Sequence, residues 1–127
     1  MKINLRNPTN EAFDFHELIK LYLASLLQRK NKKLRVETEK PIGNRIADVY
    51  MRDKKGVAHV WEIQKKITPQ WKKKLEKDYT ELNIIPFTVS LEEVKEKWED
   101  RLMLNLIQNK TFNPEEELRA ILSDYTI

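Results

Sequence analysis

A β-hairpin is the clearest structural signal in this sequence. Segments 45–52 and 57–65 are rich in apolar residues, and Lys55-Gly56 lies in the turn between them. Strand side chains alternate between the two faces of a sheet, so Glu62 and Gln64 share one face. Asp48 can reach the same point from the neighbouring strand. The hairpin therefore predicts two carboxylates that converge inside a sheet, where a buried charge needs a partner.

Convergent carboxylates favour a divalent metal site. Hard oxygen ligands suit Mg²⁺ or Mn²⁺, and Mg²⁺ typically uses only one or two protein carboxylates. The alternative is that both acids lie on the solvated face of an antiparallel pair, where most strand acids are found. Neither His16 nor His59 lies at a metal-ligand spacing from another histidine.

Length and composition predict one soluble domain. The 127 residues are 40% hydrophobic and 35% charged, and no apolar run approaches the length of a bilayer span, so no membrane association is expected. The absence of cysteine excludes disulfides and thiolate metal sites, and with no secretory signal at the N-terminus it favours a cytoplasmic location. A net charge of +4 is compatible with a polyanionic partner.

Capping residues and apolar periodicity predict an α/β fold. An apolar helix begins at Thr9 or Asn10 and ends near Lys30, and it carries Glu17 among its apolar residues. The further expected elements are strands at 34–39, 45–52 and 57–65, a helix at 69–82, a strand at 84–89 with Pro86 indicating an edge or an end, a helix from 91 to about 109 and a last helix from 114 to about 125. This order predicts a mixed sheet of about four strands with helices on its faces.

In this order of elements the chain resembles the PD-(D/E)xK nuclease superfamily. The shared core is helix, three strands, helix, strand, and it covers about residues 10–90, which leaves a C-terminal helical extension at about 91–127 of the same single domain. Asp48 matches the acid of the second strand, Glu62 the acid of the third, and Glu17 the glutamate that many branches carry in the first helix. Small archaeal or viral nucleases and Holliday junction resolvases are similar in size.

The resemblance implies a metal-dependent endonuclease that hydrolyses DNA. Mg²⁺ or Mn²⁺ would bind to Asp48, Glu62 and the backbone carbonyl of Ile63, with Glu17 acting directly or through a water. Gln64 stands where the family usually has lysine, and it can orient water through its amide but supplies no positive charge. Lys66 returns to the Glu62 face if the strand extends that far, whereas Lys65 points to the opposite face. The alternative is that both lysines are solvated at the end of the strand.

Several basic residues are candidates for contact with the phosphates of DNA. Arg45 precedes the second strand, and two lysine-rich clusters follow the first helix and the third strand. The candidate residues are Arg29, Lys33, Arg45, Lys65, Lys66, Lys72 and Lys73. Such contacts give salt-dependent affinity without reading sequence. Because no sequence-reading module is present, we expect a structure-selective enzyme rather than a sequence-specific one.

Two other functions remain open. The chain could be a catalytically inactive nucleic-acid-binding module that keeps the nuclease fold, or a protein-interaction domain whose acids lie at a strand end. In addition, the last helices carry many apolar residues for their length, which predicts a homodimer face.

Overall fold

Four strands and four helices build the protein in the predicted order. The computed structural model describes residues 1–3 and 15–127, so the expected start of the first helix at Thr9 or Asn10 lies outside the described residues. The elements are α1 (Phe15–Lys30), β1 (Val36–Ile42), β2 (Arg45–Arg52), β3 (Ala58–Gln64), α2 (Pro69–Thr80), β4 (Ile84–Ser90), α3 (Leu91–Ile107) and α4 (Pro114–Ser123). The α/β fold class is therefore confirmed.

The four strands form one mixed sheet in the order β1-β2-β3-β4. Strands β1, β2 and β3 pair antiparallel, and β4 joins β3 in parallel after the α2 crossover. Pro86 lies in β4, which is an edge strand of the sheet that the described residues form, and an edge strand tolerates the missing N–H of proline.

Local signals explain where the elements begin and end. Thr68, Ser90 and Asn113 cap α2, α3 and α4, and each side chain accepts a hydrogen bond from the backbone N–H three residues on. Gly56 has a φ of 83° in the β2–β3 turn, a conformation that glycine adopts without steric cost. Strand β3 ends at Gln64, one residue before the expected end at Lys65, so strand alternation does not place Lys66 on the Glu62 face.

The two faces of the sheet are covered by different helices. Helices α1, α3 and α4 pack on one face around a large core that includes Ile19, Leu23 and Trp61, while α2 covers the other face with Leu75 and Tyr79. The apolar side chains of α4 that are buried in the larger core are Leu118, Ile121 and Leu122. The C-terminal helices are thus part of the domain core, and none of the helices in the described residues has the length and apolarity needed to cross a membrane.

Candidate metal centre

A row of three acids crosses the sheet. Glu39 lies opposite Asp48, because the β1–β2 register pairs Thr38 with Val49 and Lys40 with Ala47. The β2–β3 ladder ends at the pair Val49 and Trp61, and one step further Asp48 lies opposite Glu62. Asp48 and Glu62 are both buried, at 1% and 8% exposure. The structure thus places the two acids predicted from the hairpin on adjacent strands at the same level.

The strands depart from regular alternation at this level. Val49 packs in the larger core and Ala47 in the smaller one, so the alternation of β2 is interrupted at Asp48. On the neighbouring strand Glu39 has a φ of 50°, in the left-handed region that few non-glycine residues adopt. Both irregularities fall at members of the acidic row itself, and backbone strain of this kind clusters at functional sites.

Asp48 caps the open end of the β2–β3 ladder. Its Oδ2 accepts a hydrogen bond of 2.6 Å from the backbone N–H of Ile63. The N–H and C=O of one strand residue point toward the same neighbouring strand, so the Ile63 carbonyl also faces the Asp48 side. The carboxylate and the carbonyl predicted as metal ligands therefore lie next to each other.

Glu62 is oriented by a tyrosine from α2. The Tyr79 hydroxyl donates a 2.6 Å hydrogen bond to Glu62 Oε1. Burial, together with the Glu62 carboxylate, raises the pKa of Tyr79 far above its ordinary value, and the charge of Asp48 adds to the effect. Tyr79 is thus a neutral donor near both acids, and its ring packs in the smaller core.

Helix α1 connects the third predicted acid to this group. His16 lies 3.4 Å from Asp48 Oδ1 through Nε2 and 3.5 Å from Glu17 Oε1 through Nδ1. Glu17 is buried, as its place in an apolar helix indicated. His16 therefore joins Glu17 to Asp48, a role that the spacing of the two histidines along the chain did not reveal.

Lys20 is a buried cation in the same network. It has no exposed surface, and its Nζ lies 2.5 Å from Glu17 Oε2 and 3.0 Å from Glu39 Oε1. Sequence reasoning missed both Lys20 and Glu39. For Lys20 a signal was available in the sequence. Lys20 follows Glu17 by three residues, which puts the two side chains on the same face of an apolar helix.

His59 lies apart from the acidic row, on the face opposite Glu62, as alternation predicted. It stacks on Phe87 and lies 3.0 Å from Asp53 Oδ2 through Nε2. The hydrogen bond with His59, followed by the one from the Val57 backbone, lowers the pKa of Asp53. Since Asp53 also accepts from the Lys55 and Val57 amides, this pair stabilises the β2–β3 turn.

The remaining candidates surround the acidic row at different distances. Gln64 is half-buried at the end of β3, and Arg45 is held on α2 by Asp78, with its guanidinium 5.8 Å from the Tyr79 ring centroid. Four exposed lysines follow β3 or lie in the first turns of α2: Lys65, Lys66, Lys72 and Lys73. By contrast, Arg29 lies twelve residues along α1 from Glu17, which is about 18 Å at about 1.5 Å per residue. The Arg29 and Lys33 pair is therefore at the far end of α1.

The donor set suits a hard divalent cation. Within residues 1–3 and 15–127, no three His, Cys, Asp or Glu side chains form a group arranged to hold a metal ion. However, Mg²⁺ commonly binds to one or two carboxylates and keeps several waters. Asp48, Glu62 and the Ile63 carbonyl meet that smaller requirement. Glu17 is already engaged by Lys20, so a water-mediated role fits it better than direct ligation.

Comparison of the chain with models of protein families, with curated proteins and with solved structures gave no match.

Proposed function

We propose that this protein is a divalent-metal-dependent nuclease that hydrolyses phosphodiester bonds in DNA. The observation that carries the proposal is the convergence of Asp48 and Glu62 at the open end of the β2–β3 ladder, beside the Ile63 carbonyl. Buried carboxylates are costly to keep in a sheet unless they have a task or partners. Exposed lysines at the same end of β3 supply positive charge around the acids.

Mg²⁺ or Mn²⁺ would be held by Asp48, Glu62 and the Ile63 carbonyl, with Glu17 contributing through a water. When bound, such an ion lowers the pKa of a bound water and offsets the charge on the scissile phosphate. The protein's own groups prepare the ligands. The Ile63 amide fixes Asp48, and the Tyr79 hydroxyl fixes Glu62, so both carboxylates are oriented by hydrogen bonds before any ligand arrives.

Gln64 and the basic residues act on the substrate side. Gln64 lies at the end of β3 on the same strand face as Glu62. The oxygen of its side-chain amide can orient the attacking water by accepting a hydrogen bond from the water O–H. The lysines at the same end, which would contact phosphates, are Lys65, Lys66, Lys72 and Lys73. Because such contacts do not read bases, the enzyme would select DNA by its structure. Of the two modes of cleavage, we favour the endonucleolytic one, which the family resemblance implies.

An inactive nucleic-acid-binding module is the second candidate. Glutamine replaces the family's lysine at position 64, and both oxygens of Asp48 already have neighbours in Ile63 N–H and His16. In this alternative the network stabilises the fold, and the lysines alone bind nucleic acid.

Cleavage assays separate the two functions. Supercoiled plasmid, single strands and a four-way junction would be incubated with Mg²⁺ or Mn²⁺ and with wild type, Asp48→Asn or Asp100→Asn. Asp100 is an exposed acid on α3 and provides an isosteric control. We expect metal-dependent cleavage by wild type and by Asp100→Asn, and none by Asp48→Asn. Salt-sensitive binding with no cleavage by any protein would favour the inactive module.

A further inference from the structure

The second half of α3 carries an exposed apolar surface. Its large side chains are exposed to unusual degrees for apolar residues: Leu102 36%, Met103 56%, Leu104 52%, Leu106 61% and Ile107 78%. Scattered single apolar residues are normal on a surface, but a contiguous patch marks an interaction site.

Most of this patch lies on one face of the helix. At about 100° per residue, Leu102, Met103, Leu106 and Ile107 project from one side, and we call them the α3 ridge. The N-terminal half of the same helix lines an apolar groove of about 940 Å³, which it forms with Phe15 and Phe112. Leu91 and Trp98 contribute to the groove from α3, and Leu102 belongs to both the groove and the ridge.

A ridge and a groove on the same helix are complementary to each other in a two-fold pair. If two copies of α3 pack antiparallel, the ridge of each copy meets the groove of the other, and one kind of contact covers both apolar surfaces. A partner of a different sequence would have to supply its own groove and ridge. The geometry therefore favours a second copy of this chain as the occupant.

Charge selects the antiparallel orientation. Residues 91–100 carry five acids and two lysines, Lys95 and Lys97, and so have a net negative charge, whereas residues 101–110 contain no acid and include Arg101 and Lys110. Parallel packing would place the acidic halves side by side. Antiparallel packing brings each acidic half to the acid-free half and also opposes the two helix dipoles.

We propose that the protein forms a two-fold dimer through antiparallel α3 helices, with Leu102 nearest the symmetry axis. The proposal does not rest on nuclease activity, because it is argued from the exposed apolar surface and the groove. The groove is also lined by His16 and Lys65, so a second copy seated in it would lie beside the acidic row. A dimer that lacks cleavage activity would leave this proposal intact, and an active monomer would overturn it while leaving the proposed function intact.

The mass in solution gives the first test. Light scattering coupled to gel filtration should report twice the 15.3 kDa chain mass for wild type. The double variant Leu106→Glu/Ile107→Glu should shift to a single chain mass with an unchanged circular dichroism spectrum, since both side chains are exposed. Ile85→Glu, at a 44% exposed position on β4, should remain dimeric. A wild-type monomer, or a double variant that stays dimeric, would overturn the proposal.

Cysteine cross-linking tests the position of the axis. The chain contains no cysteine, so each single substitution gives one unique thiol. Leu102→Cys should form a disulfide-linked dimer on mild oxidation, whereas Leu82→Cys, an exposed position remote from α3, should not. Equal cross-linking of the two variants, or none in either, would contradict an axis at Leu102.

Discussion

Lys20 shows most clearly how single residues maintain the acidic network. It is a lysine without exposed surface, and it lies between the carboxylates of Glu17 and Glu39. A buried charge survives only where opposite charges and hydrogen bonds replace its water. Lys20 therefore allows two acids to remain inside the fold beside Asp48.

Replacing Lys20 should destabilise the protein strongly. Lys20→Met removes the cation shared by buried Glu17 and half-buried Glu39, and breaking a buried pair in this way costs about 3–5 kcal/mol. Lys97→Met removes a lysine that pairs with exposed Glu93, and such surface pairs are worth about 1 kcal/mol or less. Urea unfolding of the two variants measures the difference. An effect of Lys20→Met as small as that of Lys97→Met would contradict the role of Lys20.

Tyr79 predicts a particular pH dependence. Because its pKa in the folded state is raised above the ordinary value near 10, the neutral phenol contributes stability that is fully present below about pH 10 and is lost at higher pH. The unfolding free energy of wild type should fall more steeply above about pH 10 than that of Tyr79→Phe.

The same variant tests the hydrogen bond to Glu62. At neutral pH, Tyr79→Phe leaves a buried carboxylate oxygen without its donor and should cost about 1–3 kcal/mol. Equal slopes of the two proteins with pH, together with no decrease of stability at neutral pH, would exclude the role assigned to Tyr79.

At the level of the elements, the sequence predicted each of the four helices and four strands of the described residues. Ser90 and Asn113-Pro114 marked helix starts, and Lys55-Gly56 marked the hairpin, because capping and turn geometry depend on local residues. The boundaries of β1 were less accurate: strand 34–39 was expected, and Val36–Ile42 is observed. Charged residues and Pro41 hide the second half of β1, where tertiary pairing with β2 decides the structure.

The acidic site was predicted only in part for a similar reason. Alternation within one hairpin brought Asp48 and Glu62 together, and both were found there. Glu39, Lys20 and His16 join the site from elements whose packing depends on long-range interactions. No local pattern in the sequence specifies which helix face covers Asp48.

The packing of α4 gives an element-scale prediction. Leu122 has no exposed surface and packs in the larger core with α1, so Leu122→Ala should destabilise the whole domain by about 2–5 kcal/mol. Thermal unfolding followed by circular dichroism and by tryptophan fluorescence would measure the effect, and Trp61 couples the sheet to the segment after α4 because its Nε1 donates to the Tyr125 carbonyl. Unfolding of α4 alone, with the sheet unchanged, would show that α4 is a separable appendage.

At the scale of the whole molecule, the basic residues are distributed unevenly around the acidic row. Lys65 and Lys66 follow β3 directly, whereas Arg29 and Lys33 lie at the far end of α1. The lysines after β3 are therefore the basic candidates that lie nearer to the acids along the fold.

DNA binding should reflect this distribution. Lys65→Ala/Lys66→Ala should weaken binding and flatten the plot of log affinity against log salt by about one for each phosphate that the protein no longer neutralises. Lys54→Ala/Lys55→Ala removes the same charge from the β2–β3 turn and should have a smaller effect. Filter binding of duplex DNA over a salt series measures both variants, and equal slopes for the two would contradict a phosphate-binding surface after β3.

The most direct test is whether the acidic row binds a divalent ion. Isothermal titration with Mn²⁺ would compare wild type with Asp48→Asn, Glu62→Gln and the exposed control Asp100→Asn. We predict saturable binding of one ion per chain by wild type and by the control, and no such binding by either site variant. If wild type binds no Mn²⁺, or if all four proteins bind it equally, Asp48 and Glu62 do not form a metal centre.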